Sequence, residues 1–359
     1  MANDPIFILG TERSGSNLLR LILNSHSRIA VPHPPHVVRY FAPLEALYGD
    51  LTKDRAFRRL VDDILRLLDQ HIYQWDIPID AELVARTATP RSAFGVYVAL
   101  QDQYRAHTGK ARWGCKSTFM VDHIPEIRAR FPGARMLFLV RDPRDVAVSS
   151  RKSVFSTFHP YHTAQLWRDQ QASGLRWLDQ LPAEAIRLVH YERLVAEPEA
   201  SVREICAFLD EDFEPGMLRF FDTDEARKSA SLAESWGNTG RPVSRASVEQ
   251  WRTGLTPRER LIVEHIAGAE MTRLGYAPVA TPAELASVRI GVRERGGYEL
   301  AEGLQSVRIE LRSVRKDKNV WRRWARAWTL AGLRVRLRAS SALARSHGAG
   351  APGAGPNGS

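Results

Sequence analysis

The first loop of the chain constrains the fold more than any other feature. An apolar run at residues 5–9 leads into the segment GTERSGSN at residues 10–17, which opens a segment with helical apolar periodicity. Strand, glycine loop and helix in this order are the layout of a phosphate-binding loop, in which main-chain N–H groups at a helix N-terminus hold the anion. Gly10 and Gly15 have the spacing of such a loop.

The residues that end this loop depart from the pattern of a nucleotide triphosphatase. Ser16 and Asn17 stand where those enzymes need Lys and then Ser or Thr for the phosphates and for Mg²⁺. A cation, Arg13, lies inside the loop instead. The loop therefore favours metal-free group transfer from a nucleotide. On its own it is equally compatible with a tight glycine turn between a strand and a helix.

A second motif of the same kind follows the apolar run at residues 136–140. Arg141 comes directly after this predicted strand, Asp142 is a plausible N-cap, and Pro143 suits the first turn of the helix that follows. Ser149 lies about two turns into that helix. An Arg at the end of a strand and a Ser in the next helix can hold one phosphate from two sides. An ordinary capped helix would not explain why two such units both end in anion-binding chemistry.

Apolar runs that alternate with longer helical segments predict an α/β fold with a doubly wound parallel sheet. The predicted strands are residues 6–9, 112–115, 136–140 and 186–190. The predicted helices are residues 17–24, 54–70, 92–107, 121–130, 161–180, 198–209 and 259–274. Ligands bind such sheets at the carboxyl ends of the strands, where the motifs lie.

Composition predicts one catalytic domain at residues 1–280 with no membrane span, because no apolar run approaches the roughly 20 residues that a span needs. Cys115 and Cys206 are the two cysteines, too few for a disulfide framework or a metal cluster. The first strand begins within a few residues of Met1, which leaves no room for a signal peptide. We therefore expect a cytoplasmic protein.

The net charge of +10 is concentrated in the C-terminal part, where residues 301–359 hold 12 Lys and Arg against three Asp and Glu. A nucleic-acid enzyme spreads such charge over its binding face, so no nucleic-acid partner is expected. Residues 281–346 read as a basic helical extension and residues 347–359 as a disordered tail. Trp321, Trp324 and Trp328 share one helical face that suits a membrane surface, self-association or packing on the chain's own core.

Taken together, these motifs resemble the sulfotransferases that use 3′-phosphoadenosine 5′-phosphosulfate (PAPS), above all the bacterial and tyrosylprotein-type enzymes. Residues 13–16 look like their 5′-phosphosulfate loop, and residues 139–149 look like their 3′-phosphate motif. Three further segments are similar to family segments and fall in the right order, at residues 113–116, 190–194 and 241–244. The resemblance covers roughly residues 5–276.

The resemblance implies a P-loop-like three-layer fold and a metal-free site. Arg13 would hold the 5′-phosphate and the bridging oxygen, and Lys116 would stabilise the transferring group. The implied nucleotide contacts are Arg13, Ser14, Gly15, Ser16, Asn17, Arg141, Ser149, Tyr191 and Arg241. For Tyr191, contact with adenine and simple packing are equally compatible with the sequence.

The general base is the residue for which the sequence departs most from the family. An acidic base often follows the first helix, but this chain has the segment VPHPPH at residues 31–36. His36 and His33 fall in that place, and imidazole has a pKa suited to the task. Glu12 is a third candidate, ranked lower because a carboxylate repels sulfate unless Arg13 pairs with it.

The resemblance predicts transfer of a sulfuryl group to an acceptor hydroxyl or amine. Aromatic residues in the segment 43–107 suit a sugar, a phenol or a lipid-like alcohol about equally well. Two other functions are compatible with the fold: a small-molecule or nucleotide kinase, which Ser16 and Asn17 disfavour, and a non-catalytic nucleotide-binding or membrane-docking protein.

Overall fold

The computed structural model describes residues 4–151, 153, 157–232, 234–316 and 320–348. The internal contacts divide the chain into two compact units. The first unit is Met1–Pro34 with Tyr104–Lys318, and the second is Pro35–Gln103 with Asn319–Ser359. The boundary predicted at residue 280 stays a prediction, and most of the predicted tail lies outside the described residues.

The first unit is built on a five-stranded parallel sheet with the order β2-β3-β1-β4-β5. The strands are β1 (Ile6–Gly10), β2 (Ile29–Ala30), β3 (Arg112–Lys116), β4 (Arg135–Val140) and β5 (Ile186–His190). From β1 the chain passes to β2 and then β3 on one side of β1, and it then crosses to β4 and β5 on the other side. The crevice for a ligand in such a sheet lies where the strand order reverses, beyond the carboxyl end of β1.

Helices and short 3₁₀ turns make up most of the remaining structure. The α-helices are α1 (Ser16–Asn24), α2 (Val37–Phe41), α3 (Asp54–Asp69), α4 (Ala81–Thr87), α5 (Ala93–Thr108), α6 (Ile124–Arg130), α7 (Pro143–Ser150), α8 (Pro160–Gln180), α9 (Tyr191–Ala196), α10 (Pro198–Leu209), α11 (Asp224–Leu232), α12 (Trp251–Gly254), α13 (Pro257–Arg273), α14 (Pro282–Ser287), α15 (Val292–Lys316) and α16 (Val320–Gly348). The 3₁₀ helices are Ala42–Tyr48, Thr118–His123, Pro215–Asp222, Glu234–Gly240 and Arg245–Ser247.

The sheet of the first unit has an apolar layer on each face. On one face Ile8 and Leu139 are fully buried together with Ile205 of α10. On the other face Phe138 lies against α8 so closely that a Cβ on Gly174 would come within 2.2 Å of its ring. Both faces of a parallel sheet must be covered in this way, since its strands are apolar throughout. The predicted three-layer α/β fold is confirmed.

The predicted elements of the first unit agree with the structure to within a few residues. Residues 186–190 and 198–209 form β5 and α10 as predicted. The two-residue strand β2 was not predicted, because so short a segment carries no periodicity. In place of one helix over residues 121–130 there is a 3₁₀ turn followed by α6.

In the second unit, α16 packs through one of its faces. Leu330, Leu333 and Leu337 are buried. Trp321 and Trp328 are 68% and 78% exposed. The surface on which the tryptophan face packs stays a prediction. Among the described residues, no helix is long and apolar enough to span a bilayer.

Candidate active site

The first loop bends sharply where β1 ends and α1 begins. Gly15 caps α1 with a φ of 89°, a conformation open mainly to glycine. The ring of Tyr191 fills the space beside it, because a Cβ on Gly15 would lie 2.3 Å from that ring. Arg13 also has a positive φ, 70°, which is uncommon for a residue with a side chain and typical of functional sites. The bend places the N-terminus of α1 at the crevice beyond β1.

The two loops that the sequence singled out meet in the structure. Register pairing of β1 with β4 sets Gly10 beside Leu139, so both loops leave the same edge of the sheet. Arg13 Nε donates a hydrogen bond of 3.2 Å to Ser149 Oγ, and Arg141 Nη1 donates one of 2.9 Å to the carbonyl oxygen of Arg13. The predicted 5′-phosphate and 3′-phosphate residues therefore form one continuous site.

The ring of Tyr191 contacts both loops. The Arg141 guanidinium lies 4.6 Å from the centroid of its ring, a cation–π distance, and the edge of the ring lies beside Gly15. The structure thus gives Tyr191 a packing role. Its predicted contact with adenine stays a prediction.

Glu192, which sequence reasoning missed, fixes the start of the second loop. One of its carboxylate oxygens accepts a 2.9 Å hydrogen bond from the main-chain N–H of Asp142, and the other accepts a 2.9 Å hydrogen bond from the hydroxyl of Tyr276. Tyr276 lies 84 residues away in sequence, so no local pattern could reveal this arrangement. The available signal was the position of Glu192, two residues after the end of β5.

A third segment, residues 245–251, is tied to the same site. Arg141 Nη2 donates to the carbonyl oxygen of Ser247 at 2.5 Å. The carboxylate of Asp145 accepts hydrogen bonds from the main-chain N–H groups of Glu249, at 2.8 Å, and Trp251, at 3.0 Å. Burial raises the pKa of Asp145 to about 6. Both Arg141 and Asp145 thus hold this segment against the second loop.

The site concentrates positive charge. Burial, followed by the neighbouring charge of Arg141, lowers the pKa of Arg13 to about 10. Burial also lowers the pKa of Lys116, at the end of β3, to about 8, and the charges of Arg20 and Arg13 add to that effect. Glu12 opposes the shift at both Arg13 and Lys116. Cations that depress one another's pKa in this way favour a bound anion.

Three buried side-chain atoms of the predicted nucleotide contacts have no hydrogen-bond partner among the described residues. They are Ser14 Oγ, Asn17 Nδ2 and Arg141 Nε, and Ser14 and Arg141 are 0% and 4% exposed. Buried polar atoms nearly always have a hydrogen-bond partner, so the lack of one here needs an explanation. A bound oxyanion would supply the missing partner. The residues present fit the phosphate and sulfate groups of a nucleotide.

Arg20 is a further residue that sequence reasoning missed. It is fully buried, and its Nε donates a 2.8 Å hydrogen bond to Asn17 Oδ1. Its other nitrogens donate to Glu225 at 2.5 Å and Ser229 at 2.9 Å. A single Arg inside the apolar run of α1 was the available signal. Asn17 is therefore oriented by a structural ion pair.

The other predicted site residues are placed as follows. Ser16 is buried at the first position of α1. Arg241 is exposed just after the 3₁₀ helix Glu234–Gly240, and its predicted role at the phosphates stays a prediction. His33 belongs to the first unit, where it is 4% exposed and its ring lies 5.0 Å from that of Trp236.

His36, the favoured base, belongs to the second unit. It caps α2 with a φ of 56°, a left-handed conformation. The structure therefore supports a fixed position for this residue within its own unit, and its role as the base stays a prediction.

Comparison with known proteins agrees with this geometry. The model of the sulfotransferase family matches residues 5–215 of the chain. Protein-tyrosine sulfotransferase A of Caenorhabditis elegans is 24% identical over 77% of this chain and 68% of its own length. An uncharacterized protein of Aquifex aeolicus is 26% identical over 69% of this chain, which spans only 30% of that protein. Among solved structures, the sulfotransferase domain from the curacin biosynthetic pathway is 21% identical, with a TM-score of 0.55 over 77% of this chain and 98% of that domain.

The fold and the two paired loops define an anion-binding site of the P-loop type. The model of the sulfotransferase family covers more than half of the chain, including both loops. The chain belongs to the sulfotransferase family. The family membership predicted from residues 13–16 and 139–149 is confirmed.

Proposed function

We propose that this chain transfers the sulfuryl group of PAPS to an acceptor hydroxyl, or to an amine, in line and without a metal ion. The observation that carries the proposal is the contact between the two loops, in which Arg13 donates to Ser149 and Arg141 donates to the carbonyl oxygen of Arg13. With the loops in contact, two groups of anion-binding residues lie side by side at one edge of the sheet. A nucleotide with both a 5′-phosphosulfate and a 3′-phosphate has two anionic groups to fill them.

Each residue of the site is proposed to act on a bond or a charge that changes during the transfer. A bond forms between the acceptor oxygen and sulfur while the bond from sulfur to the 5′-phosphate oxygen breaks, and the leaving bisphosphate takes the electron pair. Arg13 and the main-chain N–H groups of Gly15, Ser16 and Asn17 hold the charge that grows on that phosphate. The main-chain N–H of Ser14 donates to the carbonyl oxygen of Thr11 at 3.2 Å, so Ser14 contributes its hydroxyl instead. Lys116 holds the oxygens of the transferring group.

The 3′-phosphate is the group that Arg141 and Ser149 would recognise. A guanidinium can bind a phosphate through two parallel N–H donors, which gives both orientation and selectivity. Arg241, in an exposed position, would complete the enclosure of the nucleotide. Together these contacts supply the positioning on which in-line transfer depends.

The kinase alternative is disfavoured by the surroundings of Asn17. Its side-chain oxygen already accepts a hydrogen bond from Arg20, so it is engaged inside the protein. A P-loop kinase uses a hydroxyl at this point to hold Mg²⁺.

The proton of the acceptor must pass to a general base, for which His36 and then His33 are the proposed candidates. The acceptor class is a phenol, a sugar or a lipid-like alcohol. A tyrosine hydroxyl belongs to the first class, and several relatives of this chain are named protein-tyrosine sulfotransferases. The shared chemistry is an alcohol or phenol oxygen that attacks sulfur.

The test is an assay of product formation from PAPS with EDTA present. Each of four acceptors is tried in turn: a simple phenol, a tyrosine peptide, a monosaccharide and a long-chain alcohol. Release of the bisphosphate together with an equal amount of one sulfated acceptor is the expected result. Arg141→Ala should abolish it, whereas Arg168→Ala, which alters an exposed pair with Asp169, should not. Transfer of phosphate from Mg-ATP, or release of nucleotide with no sulfated product, would contradict the proposal.

A further inference from the structure

Helix α8 contacts both phosphate loops from one of its faces. Trp167, Gln171 and Gly174 follow one another at steps of four and three residues, so they share that face. A Cβ on Gly174 would come within 2.2 Å of the ring of Phe138 in β4, so the helix lies directly on the sheet. Trp167 and Gln171 are both fully buried, and each makes a hydrogen bond to a different loop.

Trp167 holds the second loop at the peptide group that follows Arg141. Its indole Nε1–H donates a 3.0 Å hydrogen bond to the carbonyl oxygen of Arg141. The N–H of the same peptide group, on Asp142, donates a 2.9 Å hydrogen bond to Glu192. Because the oxygen and the N–H of a trans peptide project on opposite sides, these two contacts fix the plane of the peptide group. The direction in which the Arg141 side chain leaves the backbone is fixed with it.

Gln171 holds the first loop at Thr11. Its side-chain Nε2 donates a 2.5 Å hydrogen bond to Thr11 Oγ1, and both residues are buried. The carbonyl oxygen of Thr11 accepts a 3.2 Å hydrogen bond from the main-chain N–H of Ser14, which closes the turn that contains Arg13. The contact with Gln171 therefore ties the start of this turn to α8.

From this arrangement we propose that Trp167 and Gln171 are positioning residues, which hold the contacts for the 3′-phosphate and the 5′-phosphate at the separation that one nucleotide requires. This role rests on the proposed function, since it concerns how two anion sites recognise one ligand. The two side chains are ~6 Å apart along the helix axis. A single rigid helix thus sets the relative position of Arg13 and Arg141, which lie 128 residues apart in sequence.

The two residues should act on different parts of the nucleotide. Trp167 acts through Arg141, and therefore on the 3′-phosphate. Gln171 acts through the loop that contains Arg13, and therefore on the 5′-phosphate. A residue that only supports the fold would instead weaken the binding of every nucleotide alike.

The first test measures the Kd of the full chain by calorimetry for three ligands: 3′-phosphoadenosine 5′-phosphate, adenosine 5′-phosphate and adenosine 3′-phosphate. Trp167→Phe keeps an aromatic ring and removes the N–H donor. It should weaken binding of the two ligands that carry a 3′-phosphate about tenfold and leave that of adenosine 5′-phosphate within about twofold. The matched control is Trp177→Phe, because Nε1 of Trp177, on the same helix, has no hydrogen-bond partner among the described residues. It should change none of the three Kd values.

The second test uses the same ligands with Gln171→Leu, which keeps the approximate size of the side chain and removes its amide. Binding of the two ligands that carry a 5′-phosphate should weaken about tenfold, while that of adenosine 3′-phosphate stays within about twofold. Thr11→Val removes the accepting hydroxyl and should have the same effect. The double variant should bind no more weakly than either single variant, because all three lose the same contact.

The ratio of Kd values within one variant does not change when a smaller fraction of the protein is folded. If Trp167→Phe does not fold, Gln171→Leu and Thr11→Val decide the matter. The same loss for all three ligands, or no loss, would overturn the role of the residue that was changed and leave the proposed function intact. Absence of binding of all three ligands to the unaltered chain would overturn both.

Discussion

Arg141 donates a hydrogen bond of 2.9 Å to the carbonyl oxygen of Arg13, and this contact joins two phosphate loops that lie 128 residues apart in sequence. The same guanidinium stacks over Tyr191 and reaches Ser247. Its position is therefore fixed on three sides, while its Nε has no hydrogen-bond partner among the described residues. A cation held in this way can bind an anion without the cost of being ordered first.

Gly15→Ala should destabilise the protein and abolish nucleotide binding. The new Cβ would lie 2.3 Å from the ring of Tyr191, in a residue whose φ of 89° already disfavours a side chain. We expect a loss of about 3 kcal/mol or more in the free energy of unfolding, since a clash adds to backbone strain.

The matched control for that variant is Gly109→Ala. Gly109 also has a positive φ, 67°, but a Cβ there would meet no atom within 4 Å. It should lower the free energy of unfolding by only about 1 kcal/mol, from strain alone. Equal melting temperatures for the two variants would show that Tyr191 does not pack against the loop.

Lys116→Met should reduce the rate of sulfuryl transfer by roughly 10²–10³-fold, the usual effect of removing one donor to a developing charge. The pKa of Lys116 is about 8 because burial disfavours the charged amine. In the unaltered enzyme kcat/KM should therefore fall as the pH rises through about 8. The pH profile of Lys116→Met should lack this fall in kcat/KM. If the fall persists in the variant, Lys116 is not its source.

The lowered pKa of Lys116 also predicts that this residue, although needed for activity, destabilises the folded protein at neutral pH. Lys116 has a folded-state pKa of about 8 against an ordinary value of 10.5, so between these values the unfolded chain binds more protons. Its contribution is unfavourable below about pH 8 and disappears as the pH rises to about 10.5. Lys116→Met should therefore raise the melting temperature at pH 7, as thermal unfolding at pH 7 and pH 10 can show. A lower melting temperature at both values would contradict the burial of this charge.

Arg20→Met should lower the free energy of unfolding by about 3–5 kcal/mol, since it removes a fully buried guanidinium that donates to both Glu225 and Ser229. It should also weaken nucleotide binding, because Asn17 loses the donor that orients it. The comparison is Arg28→Met, which removes a half-exposed guanidinium from Glu211 and should cost no more than about 1 kcal/mol. If chemical denaturation gave both variants the same free energy of unfolding, the ion pair of Arg20 with Glu225 would not stabilise the fold.

Paired substitutions at His36 test its proposed role as the base. Its φ of 56° is one that Asn tolerates better than most residues, so His36→Asn keeps the backbone and removes the basic ring. Activity should fall about 10²–10⁴-fold in both His36→Asn and His36→Ala, while binding of the bisphosphate product stays unchanged. Full activity in His36→Asn would move the assignment to His33, for which His33→Ala is the corresponding test.

Much of the first unit was predictable from the sequence, and the reason is local. β1 and β4 are runs of apolar residues, with the sequences IFILG and RMLFLV, so the sequence shows them directly. The two loops were found because Gly15 and Arg141 each follow such a run. Both signals lie within about ten residues of chain.

The contacts that complete the site could not be predicted in this way. Tyr276 reaches Glu192, and Asp145 reaches Glu249 and Trp251, over separations of 84 to 106 residues. Their side chains leave no spacing pattern, because only the folded sheet brings them together. Arg20 was overlooked since one charged residue in a helix ordinarily lies at the surface.

The most direct test of the account is calorimetric titration of the full chain with 3′-phosphoadenosine 5′-phosphate, beside ADP and ATP with and without Mg²⁺. The account predicts metal-independent binding that requires the 3′-phosphate and is lost in Arg141→Ala. Preference for Mg-ATP, or the absence of nucleotide binding, would contradict it.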